Sequence, residues 1–381
     1  MMLNITPYLI SHKPHPLFYQ TLMCILGIAT QAWLSTPYVF IAGLTITIAH
    51  LVCSFLLKNK AILLLSLLPL MFTCGALRYH YQQKDHLDFR TLIGNKTFNV
   101  SGHITDISFL EQSRMKWCIT LQTNTVQVQN DNSEIHYLKK TVQLYTLKKP
   151  SLQVQDLIEV KNLTLNPCVK DSYNNYLIKE DIAATLFLIK FDHTLVNRPT
   201  NSLKRWLFYF KKQLLYQCKA KLSPQTFAFF SSVFLGNRQW GKKQMEKPKE
   251  HCKTWGISHY LARSGLHMVI FVFAWHTLLN LLPISLVYKD IFLIFLSILY
   301  YIFSWTSISF IRAFFSFILY KSCSILKVPS QLLHLLTIVT MFVLLLNPMQ
   351  LFFLDFQLSF GLTFALAWFN QIHHKAYQTN P

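Results

Sequence analysis

Long apolar runs occupy both ends of the chain, and a polar segment separates them. Three runs come first, each near the roughly 20 residues that a membrane-spanning helix requires, at 16–34, 37–57 and 61–78. Five more follow the polar segment, at 264–284, 286–304, 306–323, 331–346 and 352–370. The pattern predicts a polytopic α-helical membrane protein. We expect the first run to be a retained helix, because two further spans follow it directly.

The polar segment, residues 80–200, shows a different periodicity. Short stretches rich in Val, Ile, Thr and aromatic residues alternate apolar with polar positions, which predicts strands, at 97–109, 115–122, 134–147, 156–165 and 183–190. Five strands in about 110 residues fit a small barrel of the OB type. We therefore predict an all-β, OB-like domain inserted between two groups of membrane helices.

Lysines predict the orientation of the first spans. Lys13 precedes the first run, Lys58 and Lys60 separate the second from the third, and the turn at 35–37 carries no charge. Positive residues are enriched on the cytoplasmic side of membrane proteins. The amino terminus is therefore expected in the cytoplasm, and residues 80–200 on the extracytoplasmic side of the membrane.

Composition supports a membrane protein and locates its positive charge. Charged residues make up 14% of the chain, against roughly 25% in soluble globular proteins. The net charge is +20, and residues 201–255 hold 12 Lys and Arg against only Glu246 and Glu250. Such a surplus serves either topology and lipid headgroups or phosphate binding. We define the basic collar as Arg238, Lys242, Lys243, Lys247, Lys249 and Lys253.

The region 201–255 divides into three predicted parts. Residues 203–222 resemble an interfacial amphipathic helix, with Trp206, Phe210 and Leu214 on one side. The apolar run after Pro224 is too short for a span and fits a re-entrant segment. We expect a polar, basic loop at 237–255.

Polar and small residues at 256–268 interrupt the start of the second membrane region. His259, Arg263 and His267 recur every four residues and would share one helix face. Small residues leave room for another backbone or a solute, namely Gly256, Ser258, Ser264 and Gly265. Because polar atoms at membrane depth need a partner or water, this stretch should line a cavity. An interfacial helix anchored by its histidines is the alternative.

Charged residues in the later runs are further candidates. We consider Arg263 and Arg312 as the cations of these runs and Asp355 as the acid. Buried membrane charges pair with one another or face water. An Arg–Asp contact and a polar pore wall are therefore both open.

Four motifs follow one another in the order of a known family. Residues 256–267 read Gly-Ile-Ser-His-Tyr-Leu-Ala-Arg-Ser-Gly-Leu-His, which resembles the signature of the ComEC competence family. The other three are Leu235-Gly236-Asn237-Arg238, Ser309-Phe310-Ile311-Arg312-Ala313, and Asn347-Pro348 with Phe356-Gln357-Leu358-Ser359-Phe360. Four ordered matches over residues 235–360 make the resemblance specific.

The resemblance implies a function and its partners. Members of this family carry transforming DNA, as a single strand, across the cytoplasmic membrane during natural competence, and have a similar extracytoplasmic domain. An extracytoplasmic DNA receptor and a cytosolic DNA motor or recombination proteins are the implied partners, and a homo-oligomer is left open. The DNA path would be lined by Gly256, His259, Ser264, Gly265, His267, Arg312, Gln357 and Ser359. To these we add Arg263 and Asp355 on chemical grounds.

The chain also departs from the family. Asn237 replaces the usual Asp, Arg263 an apolar residue and Asp355 a Gly, while Phe353 stands at the family's nearby acidic position. No His-x-His-x-Asp-His run is present, so the resemblance implies an amino-terminal module and a truncated competence domain without the metallo-β-lactamase-like domain. A nucleotide-binding Gly-x-x-x-x-Gly-Lys-Ser/Thr loop is also absent. We expect no enzymatic activity, no metal and no cofactor.

These observations give one division of the chain and a few open alternatives. The predicted parts are 1–79 with three spans, 80–200 as the β domain, 201–255 as the basic region, 256–372 with the competence-type helices, and 373–381 as a tail. Within the β domain, aromatic residues pack in the core or stack on bases, namely Phe109, Trp117, Tyr137 and Tyr145. Cys118 and Cys168 either form a disulfide in an oxidising compartment or remain buried thiols.

Three functions compete at this stage. A DNA channel component accounts for the β domain, the collar and the polar membrane segment together. A small-solute permease or an inactive remnant is the second hypothesis. The third is an intramembrane hydrolase that uses Ser264 or Ser258 with His267 or His259.

Overall fold

The computed structural model describes most of the chain as two compact units. The described residues are 16–34, 36, 38–57, 65–94, 96–110, 113–128, 135–164, 171–188, 191–199, 202–237, 242–256, 265–305 and 307–379. The helical unit contains the described residues of 1–81 and 262–381, and the sheet unit contains those of 82–261.

The first three helices are α1 (Pro16–Leu34), α2 (Tyr38–Leu57) and α3 (Leu67–Ile93). Gly27 allows α1 and α3 to approach closely, since a Cβ at this position would lie 2.1 Å from the carbonyl oxygen of Phe72. α3 extends well beyond the predicted run at 61–78, because Phe89 and Ile93 are buried in the core of the sheet unit. The helix ends at Gly94, whose φ of +51° is the left-handed conformation that favours glycine.

The sheet unit is built on one mixed sheet. Its strands are β1 (Thr97–Phe109), β2 (Trp117–Val128), β3 (Ile135–His136), β4 (Thr141–Thr146), β5 (Leu157–Thr164), β6 (Ile182–Leu188) and β7 (His193–Asn197), with helix α4 (Asp171–Lys179) between β5 and β6. The order is β6-β4-β2-β1-β5-β7, and β3 pairs with β2. Every described pairing is antiparallel except that of β4 with β6.

Alternating burial along the strands explains the sheet. Phe98, Val100 and Ile104 on β1 are completely buried, with less buried residues between them, which is the period of two expected for a strand. The predicted strand at 134–147 is instead divided into β3 and β4. Sequence analysis missed β7, whose residues are mostly exposed and show no alternation, and it missed the short helix α4.

Three helices complete the sheet unit. They are α5 (Leu203–Lys221), α6 (Pro224–Phe229), which continues into a π turn at Phe230–Phe234, and α7 (Lys242–Thr254). The predicted amphipathic segment is thus a helix, and Ser202 caps it by accepting a hydrogen bond from the Arg205 backbone N–H at 3.4 Å. The predicted loop at 237–255 was wrong over most of its length. It is replaced by α7, because Lys, Gln and Glu are good helix formers and Met245 is buried.

The second part of the helical unit contains α8 (Gly265–Asn280), α9 (Leu286–Phe303), α10 (Ile308–Ile325) and α11 (Leu332–Leu346). A 3₁₀ turn (Pro348–Phe352), the short α12 (Leu354–Phe356), a π turn (Gln357–Gly361) and α13 (Leu362–Thr379) follow. Among the described residues, α1, α9 and α10 are long and apolar enough to cross a membrane. Large apolar side chains such as Val269, Phe273 and Leu366 are exposed on these helices, as expected of a surface that meets lipid.

Candidate functional site

At Gly265 and Arg312, the first turn of α8 lies against the first two turns of α10. A Cβ at Gly265 would lie 3.1 Å from the Ala313 Cβ and 3.3 Å from Nη2 of Arg312. Either distance is tighter than ordinary van der Waals contact, so a larger residue would push the two helices apart or displace the guanidinium. The glycine predicted in the signature therefore has a packing role that the structure makes explicit.

Arg312 joins α10 to the segment around the π turn. Its Nη1 donates hydrogen bonds to the Ser359 carbonyl and to the Thr363 hydroxyl, and its guanidinium carbon lies 5.9 Å from the centre of the Phe360 ring. The Thr363 hydroxyl also donates to the Ser359 carbonyl, at 2.8 Å. A π turn changes the regular backbone pairing of a helix and is often found at functional sites. The structure therefore brings the predicted residues Arg312 and Ser359 together.

His267 lies close to Gly265 on α8 and is buried. It belongs to the region where α8, α9 and α10 pack, next to a cluster formed by Met268, Tyr300, Phe310 and Phe314. The rings of Phe271 and Tyr300 stack there, with centroids 4.4 Å apart. Thus the polar signature residue sits beside an aromatic core that fixes the three helices.

Asp355 and Gln357 are exposed, unlike the other members of the predicted site that the structure describes in α8, α10 and the π turn. Gln357 donates from its side-chain nitrogen to the Leu351 carbonyl at 2.9 Å, and the Asp355 carboxylate accepts from the Phe356 backbone N–H at 3.1 Å. Among the described residues Arg312 forms no ion pair with Asp355. The first alternative, an Arg–Asp contact, is therefore not seen for Arg312.

Several predicted residues lie outside the part of the chain that the structure describes, namely His259, Arg263, Ser264 and, in the collar, Arg238. Gly256 is described. It follows α7, is exposed and has a φ of +70°, and a Cβ there would meet no atom of the described residues within 4 Å. Its glycine is required by the backbone conformation and not by packing.

Sequence analysis missed an ion pair between α9 and α10. Nζ of Lys321 lies 2.6 Å from Oδ1 of Asp290, with side chains only 16% and 13% exposed. The Ser324 hydroxyl donates to the other carboxylate oxygen at 3.3 Å. Both charges stand in runs predicted to span the membrane, which is the signal that could have found them.

The described part of the basic collar lies on α7. Lys247, Lys249 and Lys253 are exposed on this helix. Lys242 and Lys243 open the same helix, but their side chains are outside the described part of the structure. The collar is therefore largely helical, and three of its lysines are open to solvent.

A second charge cluster lies in the sheet unit. The Asp156 carboxylate is completely buried and accepts two hydrogen bonds from Arg198, at 3.1 and 2.8 Å. Arg205 on α5 approaches its Oδ1 at 3.4 Å, and the Gln153 backbone N–H donates to its Oδ2 at 2.8 Å. The hydrogen bond to Asp156 raises the pKa of Arg198. The cluster thereby attaches α5 and the chain after β7 to the sheet.

The predicted aromatic residues of the sheet unit fall into three groups. Phe109 and Trp117 pack together with centroids 5.2 Å apart, and Nζ of Lys149 lies 6.0 Å from the Trp117 ring centre. Tyr145 stacks on the exposed Phe187 at 5.0 Å. Tyr137 is 82% exposed. None of the four belongs to the buried core of the described sheet unit, so all lie partly at the surface.

Cys118 is a free thiol in the structure and is buried on β2. Burial raises its pKa to about 11, which leaves little of the thiolate that disulfide exchange requires. Cys168 lies outside the described residues, so the pairing of the two stays a prediction. Among the described residues no group of three or more His, Cys, Asp or Glu side chains could hold a metal ion.

The described structure is that of a membrane protein with a helical unit and a sheet unit. The apolar helices of the helical unit pack around an arginine, a close-packed glycine and a π turn. Residues 234–381 match the family model described as Competence protein. Over these residues the chain is similar to that family, and the resemblance in the motifs is confirmed. No curated protein and no solved structure matches the chain.

Proposed function

We propose that this protein is a component of the DNA uptake channel and moves single-stranded transforming DNA across the cytoplasmic membrane. The observation that carries the proposal is the extent of the competence match. It covers 234–381, and therefore includes Gly265, Arg312 and Ser359, which the structure brings together. The proposal describes a conduit and not an enzyme.

The chemistry of this site suits a passing polyanion. Arg312 provides positive charge, while the nearby Thr363 hydroxyl and Ser359 carbonyl are neutral. Conduction requires contacts that are favourable enough for entry and weak enough for exit. A single cation among neutral polar groups meets that requirement better than a row of lysines would.

The sheet unit supports an OB-like identity. OB folds are five-stranded Greek-key barrels that bind oligonucleotides. Five of the strands here follow the non-sequential order β6-β4-β2-β1-β5, with β4 parallel to β6. We propose that this unit lies outside the cytoplasmic membrane, from the lysine pattern of the first spans. A cysteine introduced at Asn130 should then react with an impermeant maleimide, and labelling only after lysis would overturn this placement.

The proposed partners follow from the same function. A receptor outside the membrane would deliver the DNA, and a cytosolic motor or recombination proteins would draw in the strand, because this chain contains no nucleotide-binding loop of the P-loop type. The exposed lysines of the collar and the aromatic residues of the sheet unit provide surfaces for phosphates and bases. A homo-oligomer remains part of the proposal.

The test is uptake of labelled DNA in a strain that lacks this gene, complemented with variants. Gly265→Leu should abolish entry, because a side chain there meets Ala313 and Arg312, and His267→Ala should abolish it while DNA is still captured outside. Val269→Phe is the matched control, since it adds bulk on the exposed side of the same helix. Membrane abundance is measured for each variant.

Two results would contradict the proposal. Normal uptake in the deletion strain would exclude this function altogether. Equal loss of protein and uptake in both site variants, or normal uptake with His267→Ala, would leave 256–268 with a packing role only.

A further inference from the structure

Arg312 is a partly buried cation that has only neutral partners among the described residues. Its described contacts are the Ser359 carbonyl, the Thr363 hydroxyl and the face of Phe360. Both hydrogen bonds use Nη1. Nε and Nη2 therefore form no hydrogen bond with the residues that the structure describes.

Three charged groups elsewhere in the described structure have partners of a kind that Arg312 lacks. Lys321, on the same helix, is paired with Asp290 at 2.6 Å, and the buried Asp156 is held by two arginines. Arg78 also donates to carbonyls, those of Leu345 and Leu346 at 3.0 and 2.9 Å. Those carbonyls lie at the end of α11, where the helix dipole is negative. Within the described chain, Arg312 has neither a carboxylate nor a helix terminus as its partner.

A charged side chain among membrane helices is costly and is a candidate functional site, and Arg312 has only neutral partners in the described structure. A guanidinium presents its donors in a planar fork that fits two oxygens of a phosphate. Nη2 faces Gly265, at 3.3 Å from the position of a Cβ. Because residue 265 is a glycine, it places no side chain of its own against this side of the fork.

We propose that Nε and Nη2 of Arg312 bind a phosphodiester group of the single strand as it passes, while Nη1 holds the fork against Ser359 and Thr363. This inference rests on the proposed function and names the residue that contacts the substrate. In it, α8 contributes the space at Gly265 and the π turn contributes the anchor.

The experiment measures binding of a fluorescent single-stranded oligothymidine to the full chain in nanodiscs, over a range of salt concentrations. Arg312→Gln should weaken binding about tenfold and reduce the slope of log K against log salt by about 0.7, the value for one phosphate fewer bound on a single strand. Lys327→Asn is the charge-matched control. It removes one positive charge from an exposed residue at φ +56°, a conformation that Asn tolerates, and should leave the slope unchanged.

Thr363→Val separates anchoring from binding. It removes one hydrogen bond to Arg312 but no positive charge, so the affinity should fall while the slope is kept. An unchanged slope with Arg312→Gln would overturn the inference. If that variant instead loses its stabilisation by phosphatidylglycerol in the nanodisc while its DNA slope is kept, Arg312 binds lipid phosphate, and the inference fails in the same way.

A second variant covers the case in which Arg312→Gln does not accumulate. In Arg312→Lys the introduced amine should be protected by the oligothymidine from an amine-reactive reagent, as read by mass spectrometry. Absence of protection would overturn the inference. An uptake assay distinguishes failure of the proposed function from failure of the role of Arg312. Normal DNA uptake without the gene refutes the proposed function. Normal uptake with Arg312→Gln, in a strain that needs the gene, refutes only the role of Arg312.

Discussion

Asp156 in the sheet unit and Arg312 in the helical unit are both charged side chains that the fold shields from water, Asp156 completely and Arg312 partly. The two differ in the partners that surround the charge. Asp156 is completely buried and is compensated by Arg198 and Arg205. Arg312 contacts a carbonyl, a hydroxyl and a ring in the described structure, and none of these carries a charge.

The difference indicates what each charge does. A carboxylate with two arginines and a backbone N–H has little capacity left for a ligand, so it serves to hold α5 against the sheet. A guanidinium with two donor nitrogens that bind none of the described residues retains the capacity to bind an anion. Compensation within the fold therefore separates a structural charge from one that is available to a substrate.

The largest effect is expected from removing the compensated carboxylate. Asp156→Ala should destabilise the sheet unit by about 3–5 kcal/mol, because removing one partner of a buried ion pair leaves the other charges uncompensated. Pulse proteolysis of the full chain in urea measures the loss. The control is Asp192→Ala, since Asp192 is exposed and its loss should change stability by less than about 0.5 kcal/mol. A midpoint shared by Asp156→Ala and the control would show that the cluster is not structural.

Sequence analysis predicted elements better than it predicted partners. Strand β1 has the bounds that the alternation predicts, and the core positions Phe98 and Val100 show why. Gly265 and Arg312 were found through the motifs, but their neighbours were not. Arg312 binds a backbone carbonyl at a π turn, and a carbonyl has no signature in the sequence because every residue has one.

The errors have equally local causes. The helix α7 was predicted as a loop because its residues are polar, although one buried methionine and good helix formers suffice for a surface helix. Asp290 and Lys321 were overlooked among apolar neighbours. Their pairing depends on how α9 and α10 pack, which periodicity alone does not determine.

The Asp290–Lys321 pair tests whether a charge in the helical unit is structural when it has an opposite charge as its partner. Lys321→Gln should destabilise the protein by about 1–3 kcal/mol, because the Asp290 carboxylate then loses its cation. The double variant Asp290→Asn with Lys321→Gln should restore most of this loss, since both groups become neutral together. Thermal unfolding in detergent gives both values. Equal destabilisation by the single and the double variant would mean that the uncompensated Asp290 carboxylate is not the cause of the loss.

The exposed lysines of the basic collar are expected to give the smallest change in stability. Lys247, Lys249 and Lys253 are exposed on α7, so replacing all three with Gln should change stability by no more than about 0.5 kcal/mol for each. If the collar binds DNA, the salt slope for a single-stranded oligonucleotide should nevertheless fall by about 0.7 for each phosphate that the variant no longer binds. The matched control replaces three exposed lysines outside the collar, Lys96, Lys161 and Lys219. An equal fall in the control would reflect net charge alone, and an unchanged slope in the α7 variant would assign the collar to lipid headgroups or topology.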